Sequence, residues 1–177
     1  MQQWSESAVK EAVFVWCDAW VLASVAVGGG LKGCQLKDII AAGDLINRAI
    51  INATELRSGL AKLIDKGHVS RSGDYYIISG EARAAVELRL KHRVTSFSVM
   101  QFFEDFLDIE SFPANDAEIV PVERPLEDLS DAQVEAATYA YRDELAALWR
   151  ELRQIDKHSL PERALRLLEE ASKRRRG

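Results

Sequence analysis

Apolar positions in the first half of the chain recur at helical spacing, interrupted by one strand-like stretch. An apolar run from Ala12 to Val27 precedes the glycine-rich segment GGGLKG, which predicts a first helix from about residue 7 to residue 27. The run is shorter than the roughly 20 residues that span a bilayer, and it contains Asp18. We therefore interpret it as a buried helix and expect no association with a membrane.

A further helix is predicted from residue 53 to 66, after another helical segment at about 36–50. Asn52 followed by Glu55 forms a capping box, which satisfies free amides at a helix start. Gly67 suits the left-handed residue that ends a helix. One apolar stripe consists of Leu56, Leu60, Leu63 and Ile64. If that stripe faces the core, the residues predicted to face outward are Thr54, Arg57, Ser58, Ala61, Lys62 and Asp65.

The stretch that follows predicts a β-hairpin. Residues 69–71 and 74–78 are rich in β-branched and aromatic side chains, as strands are. We expect Ser72-Gly73 to be the two-residue turn. That turn would place Arg71 opposite Asp74 and Val69 opposite Tyr76, with another helix beginning near residue 80.

The second half is predicted to be helical. Segment 98–107 is followed by a stretch with three of the four prolines, and then by a capping box at Ser130 and Gln133. A last helix begins at about Ser159. An apolar seam contains Val134, Thr138, Tyr141, Leu145, Leu148, Leu152 and Ile155. It is either a dimer interface or a surface packed against the Phe102–Phe106 face of the same chain. The pattern predicts a mainly α fold with one small β-hairpin and two domains, 1–93 and 94–177.

Charge is distributed unevenly around the net value of −5. Residues 31–93 carry eleven Lys and Arg against seven Asp and Glu, whereas residues 94–148 carry two against thirteen. A polyanion would therefore dock on the first half, if anywhere. The acidic block 104–131 keeps the protein in solution or folds over the basic face. The basic run 173–176 is a solvated end or contacts DNA or an acidic partner.

Catalytic and metal-binding patterns do not emerge. His68, His92 and His158 lie in unrelated contexts without metal-ligand spacing. Cys17 and Cys34 lack a CxxC pattern and are interpreted as buried reduced thiols of a cytoplasmic protein. We expect no enzyme activity, no metal site and no cofactor.

The segment DLINRAIINATELRSGLAKLIDKGHVSRSGDYYIISGEA resembles the winged helix-turn-helix superfamily, in particular MarR- and PadR-type transcriptional regulators. The resemblance covers roughly residues 8–92. It implies a cytoplasmic, bacterial regulator that binds double-stranded DNA as a homodimer held by its C-terminal helices. Helix 53–66 would enter the major groove, and wing 69–78 would contact the DNA backbone.

Particular contacts are implied by this resemblance. Arg57 would pair with guanine, and Ser58 would contact a base or a phosphate. The other residues of the implied DNA-binding set, which contact phosphates or share the same face, are Arg48, Thr54, Lys62, Lys66 and Arg71. The sequence does not specify the DNA sequence bound or a small-molecule effector.

The alternative hypothesis is a winged-helix module that binds protein and not DNA. Glu55 and Asp65 favour it, because a carboxylate close to phosphate is repelled.

Overall fold

The computed structural model describes residues 14–91, 99–109, 126 and 129–154. Three predictions fall outside these residues: the beginning of the first helix before residue 14, the last helix from Ser159 and the basic run 173–176. His92, His158 and most of the acidic block also lie outside them.

Six helices and one hairpin make up the described part of the chain. In order they are α1 (Trp16–Gly29), α2 (Leu36–Asn47), α3 (Ala53–Asp65), β1 (Val69–Ser72), β2 (Tyr75–Ile78), α4 (Gly80–Lys91), α5 (Val99–Phe106) and α6 (Asp131–Gln154). The strands form a two-stranded antiparallel sheet. The predicted mainly α class with one small hairpin is confirmed. None of the helices among the described residues is both long and apolar enough to span a membrane.

The chain divides into two compact units, Met1–Tyr141 and Arg142–Gly177. The first unit includes the beginning of α6. In the first unit, Met100, Phe103, Leu129 and Val134 belong to the same hydrophobic core as α1, α2 and α3. That core therefore includes residues from both sides of the predicted domain boundary at 93/94.

Helix α1 is the central element of this core. All nine residues from Cys17 to Val25 are buried, because the helix packs against α2, α3, α5 and β2. Its contact with α3 is close: a Cβ atom at Gly59 would lie 2.9 Å from Cγ2 of Val21. Glycine at this position therefore allows the two helices to approach each other.

The hairpin has a different register from the predicted one. Val69 pairs with Ile78 and Arg71 with Tyr76, so the turn is Gly73-Asp74. Gly73 has φ 59°, as type II′ turns require at their first central position. Tyr76 and Ile78, on the same face as Val69, are buried in the core. Tyr76 also exchanges two backbone hydrogen bonds, of 2.8 and 3.0 Å, with Cys34 in the segment between α1 and α2.

The two predicted capping boxes and the left-handed glycine after α3 are confirmed, whereas α2 ends at Asn47 and not near residue 50. The side chain of Asn52 accepts from the Glu55 amide at 3.0 Å, and the Glu55 carboxylate accepts from the Asn52 amide at 2.9 Å. Gly67 has the expected positive φ, 75°. Ser130 and Gln133 form the same reciprocal pair at the start of α6.

Candidate functional site

The middle of α3, which was predicted to face DNA, is buried within the protein. The ammonium group of Lys62 lies 2.5 Å from a carboxylate oxygen of Asp18, and each side chain is only 3% exposed. The same Asp18 oxygen accepts a 2.8 Å hydrogen bond from the amide of Val15 at the start of α1. The prediction that Lys62 faces outward is therefore wrong, because its charge is neutralised inside the core.

Two further residues of the predicted outward face are also buried. Ser58 is 9% and Ala61 7% exposed, so the prediction that they face outward is wrong as well. The physical reason is that α3 has two buried faces. The leucines form one of these faces. The other packs against α1, where the absence of a side chain at Gly59 leaves room for Val21.

Arg57 remains half-buried at the edge of this surface, and it has an acidic partner. Its guanidinium nitrogen Nη1 lies 2.6 Å from Oδ1 of Asp131, the first residue of α6; the Asp131 side chain is 76% exposed. A guanidinium is suited to carboxylate or phosphate oxygens, and here the chain provides a carboxylate. Asp131 is the last residue of the acidic block, which thus contacts the basic face at this position.

The other four predicted residues are on the surface at separate places. Arg48 is exposed in the left-handed cap of α2, with φ 56°, and Thr54 is exposed in the first turn of α3. Lys66 is exposed beyond the other end of α3, roughly 20 Å along that helix. Arg71 is half-buried in β1: its Nε donates to the Gly73 carbonyl at 3.0 Å, and its guanidinium lies 5.4 Å from the Tyr76 ring centre.

A second contact of α6 involves α2. The phenol of Tyr141 donates to Oδ2 of Asp44 at 2.5 Å. Burial, together with the hydrogen bond and the charge of Asp44, raises the pKa of Tyr141 to about 12. Leu129 and Val134 on the same segment are buried in the core. The seam positions up to Tyr141 therefore pack within the chain, while a dimer contact farther along the seam stays a prediction.

Sequence reasoning did not predict three pairings: Asp18 with Lys62, Asp131 with Arg57, and Tyr141 with Asp44. A signal was present for Asp18, because a carboxylate inside an apolar helix requires a cation or several hydrogen bonds. Lys62 lies 44 residues away in sequence, and its position in a largely polar helix gave no indication of burial.

The two cysteines and the described histidine lie in largely apolar surroundings. Cys17 and Cys34 are free and buried, and burial is the main factor that raises the pKa of each thiol to about 12. The thiol form is therefore favoured over the nucleophilic thiolate. The His68 ring is tilted at 46° to the Phe14 ring and meets the Phe106 ring edge-to-face, at ring-centre distances of 5.7 and 5.1 Å. Among the described residues, no group of three or more His, Cys, Asp or Glu is arranged to hold a metal ion.

The candidate surface of α3 is therefore largely covered by the chain itself. Lys62 and Ser58 are buried, Arg57 pairs with Asp131 at the beginning of α6, and Asp44 on α2 accepts from Tyr141 farther along α6. Comparison of the chain with family models, with curated proteins and with solved structures finds no match in any of the three.

Proposed function

We propose that this chain is a winged-helix-like protein-interaction module that does not read DNA with α3. The observation that carries the proposal is the buried pair of Lys62 and Asp18. A groove-binding helix needs donors that project from the protein toward base edges and phosphates. Lys62 cannot project while it neutralises Asp18.

The remaining polar surface of α3 supports the same conclusion. Arg57 is paired with Asp131, and Ser58 is buried. The exposed residues at the ends of the helix include Asp65 beside Lys66, so their charges offset each other. Non-specific DNA affinity arises from cations that neutralise phosphates, and this surface offers few of them.

The order of elements supports a winged-helix-like fold for the module. A helix, a short bridge at Cys34, two helices and a hairpin follow one another in residues 16–78. A fold of this kind hosts different functions, and the function depends on the surface residues. The free thiols Cys17 and Cys34 support a reducing compartment, and we propose that the protein is cytoplasmic.

Duplex binding measured over a range of salt concentrations tests the proposal. We expect fluorescence anisotropy with labelled duplexes to show weak binding at 50 mM salt. In a separate selection from a random pool of duplexes, we expect no sequence to be enriched. Nanomolar binding that falls by a factor of order 10³ between 50 and 200 mM salt, with a palindrome enriched, would overturn it.

DNA binding by the exposed cations is the second candidate function. Arg48 and Lys66 are exposed near opposite ends of α3, and Thr54 is exposed between them. This candidate predicts that Arg48→Ala and Lys66→Ala each weaken DNA binding. Each should also reduce the slope of log binding constant against log salt concentration by about one, as loss of one phosphate contact does. Unchanged binding in both variants would eliminate it. A homodimer through the seam beyond Tyr141 stays a prediction, which light scattering across a range of protein concentrations would test.

A further inference from the structure

We draw no further inference here: the strongest candidate, the apolar side of α6 beyond Tyr141 with the exposed Leu148, carries none because nothing in the described part of the chain shows what covers it.

Discussion

Asp18 and Lys62 are oppositely charged residues that are both buried, with side chains only 3% exposed. Removal of ions from water is costly, so the pair persists because each partner stabilises the other and Asp18 also accepts the Val15 amide. Loss of one partner leaves an uncompensated buried charge. The cost of that loss is much larger than the net contribution of the intact pair.

A double-mutant cycle measures this coupling. We expect Lys62→Met to lower the free energy of unfolding by about 3–5 kcal/mol, because Asp18 is left buried without its cation. Asp18→Asn combined with Lys62→Met should recover part of this loss, as neither charge remains. Urea denaturation of Asp18→Asn, Lys62→Met and the double variant gives the values. Lys66→Met, at an exposed position, is the control and should stay within about 0.5 kcal/mol of the wild type. Additive losses, each below about 1 kcal/mol, would contradict a coupled buried pair.

His68 gives stability a dependence on pH. Burial is the main factor that lowers its pKa from 6.5; Lys66 lowers it further, and Glu81 partly opposes the shift. A histidine with a lowered folded-state pKa contributes stability above the unfolded-state value, and this stability is lost as pH falls through the folded-state pKa. The wild-type free energy of unfolding should therefore decrease below pH 6.5 more steeply than that of His68→Phe. Chemical denaturation from pH 8 to pH 5 tests this, and parallel curves would contradict it.

Helix α3 shows at the element scale what local sequence patterns can predict. Its bounds follow from residues close in sequence, Asn52 with Glu55 and the glycine at 67, so they were predicted almost to the residue. Its second buried face depends on α1, whose approach is permitted by Gly59. A stripe of leucines indicates one inward face, but it cannot indicate how many neighbours surround a helix.

Gly59→Ala tests this close approach. Alanine is the better helix former by roughly 1 kcal/mol, yet its Cβ would lie 2.9 Å from Cγ2 of the buried Val21. Since overpacking costs about 1–3 kcal/mol, we expect a net destabilisation of up to about 2 kcal/mol in urea denaturation. Thr54→Ala, at an exposed position of the same helix, is the control and should change stability by less than about 0.5 kcal/mol. A stabilised Gly59→Ala would show that α1 and α3 are not in close contact.

The distribution of charge over the whole molecule was predictable, but its pairing was not. Composition identified a basic first half and an acidic block, and Asp131 at the end of that block does contact Arg57. Which acid meets which cation depends on tertiary packing between residues 74 positions apart. Tyr141 and Asp44 are separated by 97 positions, so no local pattern relates them. Residues near each other in sequence therefore yielded the fold class, whereas the candidate site required the packed chain.

Amine labelling of the folded protein tests most directly whether the middle of α3 faces inward. The chain is treated briefly with an amine-reactive reagent at neutral pH, and modification at each lysine is measured by mass spectrometry. We predict that Lys32 and Lys66, which are exposed, react readily, while Lys62 is modified only after the protein is unfolded in urea. Modification of Lys62 in the folded protein at the rate of Lys66 would show that its ammonium group is in solvent, and the account would be contradicted.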